Sequence, residues 1–198
     1  MKALALDGVG GLEHLALHDL PRPELEAAGD ALIRVHAAAL NRLDLFVTDG
    51  LAGVDYRFPH IVGSDGAGVV EAVGSGVTRI RAGDRVMINP GVACGRCPAC
   101  LAGEESLCAT FRVVGEHRSG TAAEYVVVPA VNLAAVPPAM PWAQAAAFSL
   151  ATLTAWHMLA TRAALQPGET VLVWGIGGGV ALAALQVARH LEIGRAHV

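Results

Sequence analysis

Cys94-Gly-Arg-Cys97-Pro-Ala-Cys100, followed by Cys108, gathers every cysteine of the chain into one stretch of fifteen residues, at steps of 3, 3 and 8. Thiolates three residues apart, with Gly95 and Pro98 shaping tight turns between them, can converge on one tetrahedral ion at metal–sulfur distances of about 2.3 Å. Four thiolates fill the coordination sphere and leave no position for water or substrate. The spacing therefore predicts a structural site, one Zn²⁺ per chain on Cys94, Cys97, Cys100 and Cys108. Two disulfides would crowd one short loop, and the N-terminus lacks the apolar run of a secretion signal. A redox Cys-x-x-Cys pair leaves two cysteines unexplained, and an iron–sulfur cluster stays open as the rival cofactor.

The sequence on either side of this stretch has two textures. Before it, Lys2–Leu6 and Leu12–Leu17 flank a glycine-rich turn and read as a hairpin, and Ala31–Ala37 reads as a strand. Asn41 is a plausible N-cap for a short helix carrying Leu43, Phe46 and Val47 on one face. Gly63-Ser-Asp-Gly-Ala-Gly reads as a close-packed turn into a strand at Val69, a further strand follows Arg81-Ala-Gly-Asp, and Glu124–Val128 closes the β-rich part. Residues 1–136 are thus expected to form a small, irregular β-barrel or sandwich. From Trp142 to Ala164 the chain becomes Ala- and Leu-rich at helical spacing. Val171-Leu-Val-Trp174, a glycine turn and Leu182–His190 then read as strand, turn and helix, the opening βα unit of a nucleotide-binding sheet.

Composition narrows the classes of function. The chain has 198 residues, 54% hydrophobic and 16% charged, with 14 basic and 18 acidic side chains. Such a chain holds one full domain and a piece of another, and it is too apolar to be disordered. A net charge of −4 without a basic cluster excludes nucleic acid and anionic membrane as partners. Tyr125–Thr161 carries no Asp, Glu, Lys or Arg, but Pro129, Pro137, Pro138 and Pro141 interrupt it, so it reads as buried helix and not as a membrane span. A cytoplasmic location is expected.

The cysteine lobe, placed after Gly83-Asp-Arg-Val86 and before a strand–glycine turn–helix motif, resembles the zinc-containing medium-chain dehydrogenase/reductase superfamily of alcohol dehydrogenases and quinone oxidoreductases. The resemblance covers the chain to about His190. It implies a mixed α/β fold: a GroES-like β-barrel catalytic domain at 1–136 with its zinc lobe at 94–108, then connecting helices and the first βα unit of a Rossmann domain at 137–192. It also implies NAD(H) or NADP(H), a small-molecule substrate, and a homodimer or homotetramer for the full-length protein.

The residues depart from the alcohol-oxidising pattern. Asn41, Ser64 and Leu150 stand where that branch has the three ligands of a catalytic zinc, and Leu43 stands where it has a proton-relaying hydroxyl. Asp44 and Asp65 alone would make a weak zinc site. Asn41-x-x-Asp44 instead resembles the zinc-free quinone and enoyl reductases, which implies that Asn41 and Asp44 line the nicotinamide end of a cleft and that Thr154 touches the nicotinamide ring or ribose. The residues also allow bland roles, with Asn41 capping its helix and Asp44 paired to an arginine. An alcohol dehydrogenase with an atypical metal and a non-catalytic NADPH-binding protein remain the alternatives. His36, His60, His117 and His157 are scattered, and none is expected to be catalytic.

Gly175-Ile-Gly177-Gly178-Gly179-Val180-Ala181 fits Gly-x-x-Gly-x-x-Ala, a variant seen in quinone reductases. Gly175, Gly177, Gly178, Gly179 and Val180 are the expected pyrophosphate-binding residues, at a helix N-terminus. The acidic ribose-binding residue of such folds falls about 20 residues further on. Ile193-Gly-Arg-Ala-His-Val198 resembles the translation of a sequencing adapter, so 193–198 is expected to be a non-native tail on a C-terminally truncated chain.

Overall fold

The computed structural model describes residues 1–197. These residues divide into two compact units, Met1–Ala147 and a second beginning at Phe148. The change falls inside the Ala-rich helix, later in the chain than the change of texture at Val136 that suggested a boundary.

In the first unit, β1 (Lys2–Leu6) and β2 (Leu15–Asp19) form the expected hairpin, with Leu4 opposite Leu17. The other edge of β1 carries β4 (His60–Ile61). Strands β3 (Asp30–Ala39), β5 (Asp65–Val73), β6 (Arg85–Ile88), β9 (Tyr125–Pro129) and β10 (Leu133–Ala135) make a five-stranded sheet in the order β10-β6-β5-β3-β9. Its pairings are antiparallel, and alternate residues such as Ile33, Val70, Val86, Ile88 and Val128 enter one buried apolar cluster. Burying each such side chain contributes about 1.5–3 kcal/mol. The first unit thus has the β-rich core that the sequence predicts for its N-terminal part.

One segment differs from its reading. Gly63-Ser-Asp-Gly-Ala-Gly is not a turn throughout, because β5 already begins at Asp65 and takes Gly66 and Gly68 into the sheet. At Gly68 the register against β3 shifts between Val35 and Ala37, and a Cβ there would collide with the Arg34 carbonyl. The glycines mark close backbone approach within a strand, which period-two patterning does not distinguish from a turn.

The second unit contains the rest of α3 (Trp142–Trp156), a π-helical turn at His157–Arg162, β11 (Thr170–Leu172), α4 (Gly179–His190) and β12 (Arg195–His197). Ala155, Leu159, Val173, Ala183, Ala184, Val187 and Ile193 form its core. The expected strand and helix are present as β11 and α4, and a further strand follows them. Strand β12 runs parallel to β11, with Val171 opposite Ala196, so the unit is a β-α-β pair. A three-residue ladder is made by backbone groups alone, and Ile193, at the head of the expected tail, is 6% exposed. The last residue of that tail, Val198, lies outside the described residues. Among the described residues no helix is long and apolar enough to cross a membrane.

Candidate metal, cofactor and substrate sites

Between β7 (Gly91–Val92) and β8 (Arg112–Val113) the chain projects the cysteine lobe, built on the one-turn helix α2 (Pro98–Leu101) and a 3₁₀ turn at Glu105–Leu107. Pro98 opens α2, where its missing N–H is no loss. All four cysteines are free thiols, and their Sγ atoms lie within 4.8 Å of one another. Cys97 and Cys100 Sγ are 3.5 Å apart and Cys94 and Cys100 Sγ 3.9 Å. A tetrahedral zinc with its usual bond length has sulfur–sulfur edges of about 3.8 Å, so the donor set fits that ion. Backbone donors prepare the thiolates. Cys97 N–H donates to Cys94 Sγ at 3.3 Å and Cys94 N–H to Cys108 Sγ at 3.5 Å. The N–H groups of Arg96 and Cys97 hold the Cys94 thiol below its ordinary range. The Thr110 hydroxyl and the Cys94 N–H bring Cys108 down to about 6. Burial and the neighbouring Cys97 push Cys100 up to about 12.

A second cluster lies where β5 starts. Asn41 precedes α1 (Arg42–Asp49), and its N–H donates to Asp44 Oδ2 at 2.6 Å, the capping-box arrangement. The Asn41 side chain reaches the other way, Nδ2 donating to Asp65 Oδ2 at 3.0 Å. Asp44 is 8% exposed and Asp65 1%. Burial raises the Asp44 carboxyl above its usual range, against weaker downward pulls from the N–H groups of Asn41 and Gly63. Ser64 is fully buried, and its Oγ has no hydrogen-bond partner among the described residues. Asn41 therefore serves as a cap and also bridges two buried carboxyls; among the described residues neither Asp44 nor Asn41 is paired with an arginine.

Sequence reading missed Thr121 in this corner. It is fully buried, its hydroxyl donates to the Asp65 carbonyl at 2.7 Å, and its N–H donates to the Gly63 carbonyl at 2.8 Å. No local pattern marks it, since its role exists only once Gly120–Ala122 lies against Ile61–Gly63. His60 is also buried and donates from Nε2 to the Gly115 carbonyl at 3.0 Å; burial holds its pKa below the usual histidine value. His36 stacks on Trp142, whose ring also carries the Arg85 guanidinium 3.9 Å from its centroid.

In the second unit, Gly175 takes φ 75, a left-handed turn that favours glycine, and Gly178 is the N-cap of α4. Gly175, Gly177, Gly178, Gly179 and Val180 are all exposed, and a Cβ on Gly175 or Gly177 would meet open space. The exposed turn leads into the N-terminus of a twelve-residue helix that has no side-chain cap, an arrangement that suits an anionic pyrophosphate. Trp174, just before the turn, is 89% exposed. Thr154 is exposed on α3, with its hydroxyl donating to the Leu150 carbonyl at 2.8 Å. The predicted residues thus fall into three groups: the four cysteines together, Asn41 with Asp44 and Asp65, and the glycine turn and Thr154 in the second unit.

Residues 27–138 match the alcohol dehydrogenase GroES-like domain. The chain belongs to the zinc-type medium-chain dehydrogenase/reductase superfamily. It is 46% identical to a crystallised NAD-dependent alcohol dehydrogenase, with a TM-score of 0.94 over 99% of this chain and 57% of that one. An alcohol dehydrogenase of Geobacillus stearothermophilus is 35% identical over 90% of this chain and 52% of its own. The human synaptic vesicle membrane protein VAT-1 homolog is likewise 35% identical, over 97% of this chain and 42% of its own. The chain thus spans about half the length of the curated relatives it matches.

Proposed function

We propose that the chain is the catalytic-domain part of an NAD(P)-dependent oxidoreductase that transfers hydride to or from an activated C=C or C=O group, with zinc used structurally. The observation that carries this reading is the Asn41 bridge. At the positions where alcohol-oxidising members hold a catalytic metal, this chain has an amide hydrogen-bonded to one buried carboxyl and, through its N–H, to another. The three residues of that bridge carry no thiolate or imidazole of their own, and the Asn41 amide nitrogen is committed to Asp65.

When bound, the nicotinamide supplies or accepts hydride at its C4 carbon. What the chain contributes is position and a dry surface. Gly175–Val180 would hold the pyrophosphate on backbone N–H groups at the start of α4, and Thr154 would turn its hydroxyl from the Leu150 carbonyl to the ribose or ring. Asn41 and Asp44 would line the nicotinamide end, with Asn41 kept rigid by its two carboxyl partners. Cys94, Cys97, Cys100 and Cys108 would hold one zinc whose role is to fix the lobe.

Two measurements test the proposal. Metal analysis of the purified protein should give one zinc per chain, and two would overturn it. Turnover of NADH and NADPH, measured with the full-length enzyme against quinones, enones and alcohols, should favour the electron-poor acceptors and fall at least tenfold in Asn41→Ala. Tight NADPH binding without turnover of any of them would reduce the protein to a nucleotide binder.

A further inference from the structure

We infer that Thr121 is a positioning residue for the Asn41–Asp65 pair, an inference that rests on the reading of that pair proposed above. Thr121 bonds to the chain on both sides of Ser64: its N–H takes the Gly63 carbonyl at 2.8 Å and its hydroxyl takes the Asp65 carbonyl at 2.7 Å. Two glycines make room for it. A Cβ on Gly63 would stand 2.9 Å from Thr121 Oγ1, and one on Gly66 would stand 2.8 Å from Thr121 Cβ. Neighbouring bonds extend the clamp, from Gly120 N–H to the Ile61 carbonyl at 2.8 Å and from Ala122 N–H to the Val62 carbonyl at 3.0 Å.

The consequence for the site is geometric. Asp65 is the first residue of β5, at the end of its ladder, where strand pairing alone defines a backbone least. The Thr121 hydroxyl fixes the Asp65 peptide through its carbonyl, and so fixes where its carboxylate meets Asn41 Nδ2. Thr121 touches neither Asn41 nor the Asp65 side chain through any of these bonds. It acts through the backbone.

Nuclear magnetic resonance of the zinc-loaded, ¹⁵N-labelled chain tests this directly, because the Asn41 side-chain amide protons report the Asp65 bond without any need for turnover. Thr121→Val keeps the shape and removes the hydroxyl; both Asn41 amide proton resonances should shift, while Thr121→Ser should hold them at their wild-type positions. Unmoved Asn41 resonances in a folded Thr121→Val chain would overturn the inference. If Thr121→Val does not fold, Thr121→Ser decides alone, and a shift of the Asn41 resonances in it would overturn the assignment to the hydroxyl. Failure of the functional reading looks different, as turnover unaffected by Asn41→Ala.

Discussion

In the cysteine lobe four sulfur atoms from fifteen consecutive residues lie within 4.8 Å of one another, whereas the corner at Asp65 collects Asn41, Asp44, Asp65 and Thr121 from three separate stretches of chain. The lobe buries little: Leu101 and Leu107 are 76% and 63% exposed, and Cys108 is its one buried cysteine. The stretches of chain that build the corner also send Leu43, Val47, Val62 and Ala122 into an apolar cluster with Leu6. A loop without a core depends on its ion for order, while a corner inside a core depends on steric fit and satisfied polar groups. The two regions should respond to different perturbations.

The largest contrast comes from taking the metal away. Chelation, or Cys97→Ser, should remove all bound zinc and the hydrogen-exchange protection of residues 94–108, with protection at Ile33 and Val70 left in place. Loss of protection in both places would mean that the lobe supports the barrel and would break the comparison. Next comes steric intrusion at the corner. Gly66→Ala drives a methyl into buried Thr121 and should destabilise the protein by about 1–3 kcal/mol in chemical denaturation, whereas Gly103→Ala in the lobe meets no atom within 4 Å and acts only through its left-handed φ of 77. Smaller again is Asn41→Ala, which removes the residue that caps α1 and should lower stability by about 1 kcal/mol without changing zinc content.

The smallest effect is one of pH. His60 is buried with a pKa held below its unfolded value, so in the interval between the two the unfolded chain binds more protons. Stability must then rise with pH through that interval, reach its full value above about 6.5, and be lost progressively on acidification. His60→Gln, which keeps a donor for the Gly115 carbonyl, should flatten that acid limb. An unchanged limb would assign it to other groups.

The lobe was legible because its chemistry is local: residue type and spacing within a few turns specify a tetrahedral donor set. The glycine turn was legible for the same reason, since strand, turn and helix N-terminus follow one another directly. Asn41 was readable as a cap, because a capping box spans four residues. Its second partner was not, since Asp65 meets it only after α1 and β5 are brought together. Thr121 had no signature at all, and the glycines of β5 were misread because a strand that admits a neighbouring backbone and a turn use the same residue. Strand β12 was missed because its pairing draws on main-chain groups that every residue carries.

Trp174 adds a practical consequence. The chain has three tryptophans, at 142, 156 and 174. Trp142 is in contact with an imidazole and a guanidinium, Trp156 is 44% exposed, and Trp174 is almost entirely exposed one residue before the glycine turn. The indole next to the turn is therefore the one most open to iodide, and its shielding from that quencher is a built-in optical gauge of anything that settles on Gly175–Val180.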